Sequence, residues 1–92
     1  MCRNIKTLFN VAPPATHDEV EAAALQFIRK VSGFNKPSRA NEAAFALAVK
    51  CTADAAHQLL HTLQTDVLPR DRDVMAAKAR ARAASRFRES HG

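Results

Sequence analysis

Four basic side chains, Arg29, Lys30, Lys36 and Arg39, crowd the segment 29–39 together with the ring of Phe34 and the hydroxyl of Ser38. That chemistry suits an anion rather than a reaction. Guanidinium and ammonium groups pair with phosphate or carboxylate oxygens. Free backbone N–H groups opening a helix after Ser38 would add to the positive field, and a ring such as Phe34 can stack on a nucleobase. A second cationic set, Lys78, Arg82 and Arg86, is spaced four residues apart, so that it forms one stripe of a helix. Such a stripe can track phosphates and makes binding steeply salt-dependent. The same residues also have plain structural uses. Arg29 and Lys30 suit the negative end of a helix dipole. Gly33 and Phe34 fit a Schellman ending in which Phe34 packs on Ile28. A basic stripe also serves as a solvated face that keeps a small protein soluble.

Other reactive groups are sparse. His57 and His61 are four apart and Asp54 precedes His57 by three, which is metal-ligand spacing on a helix. That face points away from the apolar stripe of its helix and no further ligand is evident, so no metal is expected. The pair also lacks the glutamate of the metalloprotease motif. Cys2, exposed as a terminus once Met1 is removed, would offer an amine and a thiol together, and Arg3 and Lys6 would lower the thiol pKa. No histidine base is placed beside it. Cys51 reads as a packing residue. Asp18, Glu19 and Glu21 are explained by helix capping, with no acid/base pair. Gly33 and Gly92 are the only glycines, so no phosphate-cradling loop exists. No catalytic residue and no cofactor are expected, and an enzyme is disfavoured against a binding protein.

These groups must be positioned by one small domain, expected over 1–87 with a disordered tail at 88–92, since the chain has 92 residues. The net charge of +5 is unevenly placed: residues 1–69 carry seven Lys/Arg against six Asp/Glu, whereas 70–92 carry seven against three. Such asymmetry fits a basic arm for nucleic acid or another polyanion. No apolar run is long enough to span a membrane, the alanine-rich face opposite the basic stripe suits no membrane surface, and the opening residues lack the apolar region of a secretion signal. Two cysteines make no disulfide framework, and a reducing, cytoplasmic setting is the default.

The periodicity predicts three helices. The first spans about 17–31, with a Thr16/Glu19 capping box, a stripe of Val20, Ala24, Phe27, Ile28 and Val31, and Gly33 as its left-handed end. The second spans about 39–65 after Pro37, capped by Ser38. Its heptad-like stripe is Phe45, Val49, Thr52, Ala56, Leu59 and Leu63, with Ala48 and Leu60 alongside. The third spans about 71–87 behind Pro69, capped by Asp71 and carrying the basic stripe with Arg72 at its edge. Its opposite face of Val74, Ala77, Ala81 and Ala84 buries little area, so docking should be weak. Residues 1–14 are expected as an extended arm that covers part of the core.

The segments Met1-Cys2-Arg3-Asn4-Ile5-Lys6-Thr7-Leu8, Pro13-Pro14-Ala15-Thr16, Ala23 through Phe34, Lys36-Pro37-Ser38, Ala40-Asn41-Glu42 and Ala44-Phe45 resemble an uncharacterised family of small bacterial proteins catalogued as a domain of unknown function. The resemblance covers the first half of the chain and loosens from about Val49. It implies a bacterial cytoplasmic protein and supplies no activity, cofactor or catalytic residue. The expected fold is all-α: an antiparallel helical hairpin with an extended N-terminal arm and a third, basic C-terminal helix. The expected function is non-sequence-specific binding of nucleic acid or another polyanion through Arg29, Lys30, Phe34, Lys36, Ser38, Arg39, Lys78, Arg82 and Arg86. The alternatives are a helical protein-interaction or regulatory module that uses the exposed part of the second helix's stripe, where a homodimer could form, or the third helix, and, last, a thiol enzyme or redox protein using Cys2.

Overall fold

In the computed structural model, which describes the backbone of residues 5–91 and the side chains of 5–85, Thr16 opens the first helix, α1 (His17–Ser32). Its hydroxyl accepts from the Glu19 backbone N–H at 3.2 Å, and the Glu19 carboxylate accepts from the Thr16 backbone N–H at 2.9 Å. Two orphan donors are thereby satisfied in the reciprocal manner of a capping box. The helix stops at Gly33, whose φ of 79° lies in the left-handed region and whose N–H reaches the Arg29 carbonyl at 2.9 Å. That single bond defines the simpler left-handed ending and not the expected Schellman pair. The Phe34 N–H, which a Schellman turn would send to the same carbonyl, goes to the Ser32 hydroxyl at 3.2 Å. Phe34 is left 45% exposed.

The second helix is shorter than its periodicity suggests. Residues Arg39–Asn41 form a 3-10 turn, and α2 proper runs over Glu42–Thr62, 21 residues or about 31 Å. Ser38 is extended, but its hydroxyl caps no backbone group. It accepts instead from the Asn41 side chain at 2.8 Å. The half-buried face of α2 follows the expected stripe through Phe45, Val49, Thr52 and Ala56 and departs from it toward the C-terminus. Ala53 is fully buried, Val49, Ala56, His57 and Leu60 are half-buried around it, and Leu59 and Leu63 are exposed. A straight helix drifts about 20° per heptad against a strict seven-residue repeat. A stripe drawn from Phe45 by heptads therefore leaves the contact line before it reaches Leu63.

The protein is mostly helical, with one feature the all-α expectation omits. Val11–Ala12 (β1) and Arg70–Asp71 (β2) form a two-stranded parallel sheet, Val11 opposite Arg70 and Ala12 opposite Asp71. Asn10, in the left-handed region at φ 54°, stitches this junction. Its side-chain amide donates to the carbonyls of Val67 and Leu68, and its own carbonyl accepts from the Arg70 N–H. Beyond β2, Asp71 accepts from the N–H groups of Asp73 and Val74 at 2.8 and 3.1 Å, which starts the last helix, α3 (Arg72–His91). This helix continues past the expected end at 87.

The core lies where α1 meets α2 and the arm crosses them. Among the described residues only Val11, Val20, Ala24 and Ala53 are buried. Two of these are alanines, which let the helix backbones approach closely but contribute little area. The fold is flat, with principal extents of 50 × 40 × 15 Å, close to the thickness of one layer of helices with side chains.

Glu19 ties this layer together. One carboxylate oxygen caps α1; the other accepts from Arg72 Nη1 at 2.6 Å and lies 3.9 Å from Lys6 Nζ of the arm. The Arg72 hydrogen bond, followed by the Thr16 backbone N–H, holds the Glu19 carboxyl down at about 2, from an ordinary 4.5. Because the folded value is depressed, this stabilisation is present above pH 4.5 and is lost as the pH falls through about 2. Thermal unfolding followed by far-ultraviolet circular dichroism should show a lower Tm for Glu19→Gln at neutral pH and a shallower acid decline across that window. Wild-type and variant curves that fall in parallel would contradict the role of this carboxylate.

Candidate functional site: cationic surfaces and a histidine cluster

The basic joint between α1 and α2 is partly committed to structure. Arg29 is half-buried, and its Nε donates to the Asn35 carbonyl at 3.0 Å, closing the turn. Lys30, Lys36 and Arg39 are exposed. The Ser38 hydroxyl is taken by Asn41, and the 3-10 turn with Glu42 directly after it occupies the place where a bare helix N-terminus was expected. The joint thus presents three solvated cations and the half-exposed Phe34 ring, with Arg29 serving as the clasp.

The second cationic set is presented differently. α3 leaves the body after its first turn. Arg72 is pinned to Glu19, Met75 is half-buried, and every residue from Ala76 to Ser85 is exposed. The two acidic residues of its start, Asp71 and Asp73, lie at the positive end of the helix dipole, where Asp71 makes the cap. From Val74 to Arg88 the sequence contains Lys78, Arg80, Arg82, Arg86 and Arg88 and no carboxylate. Lys78 and Arg82 line one open groove with Arg70 of β2. Arg72, expected at the edge of this stripe, is spent on Glu19 instead. The side chain of Arg86 lies outside the described residues, as does Cys2.

The joint belongs to the C-terminal end of α1 and the root of α3 to its first turn. Arg29 and Glu19 are separated by about 15 Å of helix at 1.5 Å per residue. The two cationic sets are therefore two patches on the described surface.

A third constellation is one that sequence reasoning missed. His57 does not face solvent with His61 and Asp54. It turns toward α1 and stacks on His17, with ring centroids 4.6 Å apart and the planes 9° from parallel. His17 Nε2 lies 3.2 Å from Glu21 Oε1. The ligand atoms of His17, Glu21 and His57 all fall within 4.8 Å of one another. His57 Nε2 is buried without a hydrogen-bond partner among the described residues. Asp54 pairs with Lys50 at 2.9 Å, which raises the Lys50 pKa. His61 is exposed but borders the same cavity, which is also lined by Thr16, His17, His57 and Leu60. The signal lay in the stripes themselves. His17 precedes Val20 by three and Ala24 by seven on the inward face of α1, and His57 follows Ala53 by four on the inward face of α2.

No helix among the described residues is long and apolar enough to cross a membrane. The sequence model of the family described as Uncharacterized conserved protein (DUF2277) matches residues 1–78. No curated protein and no solved structure matches this chain.

Proposed function

The chain belongs to the Uncharacterized conserved protein (DUF2277) family, whose description assigns no chemistry, and we propose that it binds polyanions, nucleic acid foremost, through the free face of α3. The observation that carries this reading is the segment from Val74 to Arg88, helical, cationic and without a carboxylate, on a helix exposed over its described length from Ala76. An isolated helix of this kind gains nothing from packing and keeps its charges hydrated, ready to displace the counterions condensed on the phosphates of a nucleic acid. Arg70, Lys78 and Arg82 make the primary contacts. Lys30, Lys36 and Arg39 at the joint offer a second patch, with Phe34 available to stack on an unpaired base. Nothing on α3 resembles a base-reading set, so recognition is of charge and shape. Fluorescence anisotropy with a labelled DNA duplex tests this. Contacts from three cations give a slope of log K against log salt of about −2.7. The pair Lys78→Ala and Arg82→Ala reduces its magnitude by about 1.8 and leaves the Tm unchanged. A wild-type slope near zero would overturn the proposal.

A second reading is favoured by the missing second layer. A stable domain buries its apolar faces between two layers, yet this one is a single layer thick, and a groove of Ile5, Leu8, Phe27, Leu59 and Leu60 stays open beside Val20 and Ala24. Phe27 and Leu59 are about half exposed. The occupant that supplies a matching apolar face of equal extent is a second copy of this chain. Sedimentation equilibrium should give a mass rising toward the dimer with concentration, and Leu59→Glu should hold the monomer. A monomer mass at all concentrations would exclude the dimer.

A further inference from the structure

We infer that His17, Glu21 and His57 form a binding site for a single divalent transition ion, Zn2+ being the best match. Two imidazoles and one carboxylate are the donor set of a three-ligand zinc centre that keeps a fourth position for water. The nitrogen and oxygen donors exclude the soft, sulfur-only ions, and two imidazoles disfavour Mg2+ and Ca2+, which take oxygen ligands.

Three independent observations converge on these residues. The first is spacing: His17 and Glu21 are four apart on α1, so both side chains leave the same face of the helix. The second is the stacking of His57 on His17 across the α1–α2 contact, which brings a third ligand from a different helix within 4.8 Å of the other two. The third is the orphaned His57 Nε2. It is buried and makes no hydrogen bond among the described residues, a cost that buried polar groups ordinarily avoid. A metal ion removes that cost by accepting the nitrogen lone pair.

Closure needs only local change. Ligand nitrogens and oxygens about a zinc ion at roughly 2.0–2.2 Å lie within about 3.5 Å of each other, against 4.8 Å at most in the structure. Rotation of the exposed His17 ring and of the Glu21 carboxylate makes up the difference. The 3.2 Å approach of His17 Nε2 to Glu21 Oε1 is then replaced by two bonds to the ion, and any proton on the coordinating nitrogens is released to solvent. The cavity bordered by Thr16, Leu60 and His61 gives the ion a path in and leaves room for the fourth ligand, water. Because the ligands come from both helices, binding couples metal to the α1–α2 contact and should raise the Tm.

Isothermal titration of ZnCl2 into the full chain, in a Cys2→Ser, Cys51→Ser background so that thiols do not compete, tests the assignment. One equivalent should bind. His57→Phe, which keeps a stacked ring, and Glu21→Gln should each weaken binding by more than about tenfold, the loss that even an outer partner of a metal site causes. His61→Ala should bind as well as the parent. Far-ultraviolet circular dichroism checks that each variant is folded, and the Zn2+-dependent rise in Tm should vanish with the same two substitutions. No binding by the parent, equal binding by His57→Phe and Glu21→Gln, or an equal loss in His61→Ala would overturn the three-ligand site.

Discussion

A single carboxylate, that of Glu19, holds three segments of this protein in place. It closes the capping box with Thr16, receives the guanidinium of Arg72 at 2.6 Å, and lies 3.9 Å from Lys6 of the arm. Most exposed ion pairs contribute little, because solvent screens them and two long side chains must be ordered. This one differs in geometry: both partners are about a quarter exposed, and Glu19 is already fixed by its own backbone contacts. Arg72, with Met75 one turn on, is thereby where α3 belongs to the body. The described cations beyond it, Lys78, Arg80 and Arg82, are handed to solvent.

The rest of the architecture compensates for a thin core. Ala24 and Ala53 bring α1 and α2 close and bury little. Backbone and side-chain hydrogen bonds at the arm do part of the work that packing does elsewhere. Asn10 and the β1–β2 pair lash the arm to the connection before α3, so that the arm and the root of α3 meet at the first turn of α1. What stays exposed on the single layer is apolar on one side, at Phe27 and Leu59, and cationic along α3.

The parts legible in the sequence are those set by neighbours in the chain. The Thr16/Glu19 box, the left-handed Gly33, the cap at Asp71 and the three helices follow from spacing and local chemistry alone. The parts that were not legible depend on residues far apart. Asn10 and Val67 are 57 positions distant, and nothing local marks two-residue strands such as β1 and β2. The outward placement expected of His57 rested on a heptad stripe through Leu59 and Leu63. The actual contact line runs through Ala53 and Leu60 and carries His57 inward onto His17. At the joint, the chemistry of Ser38 was legible but its partner was not, because Asn41 competes with the backbone for its hydroxyl.

Polyanion binding by the free, carboxylate-free face of α3 is the central claim, and it has an unusually direct test. The chain contains five Phe and no Trp or Tyr, so the protein itself absorbs only weakly near 260 nm. The ultraviolet spectrum of untagged protein purified only at low salt should show a band near 260 nm that a high-salt wash removes, the signature of nucleic acid held by charge. A spectrum that shows only the weak Phe band, unchanged by the wash, would contradict the claim.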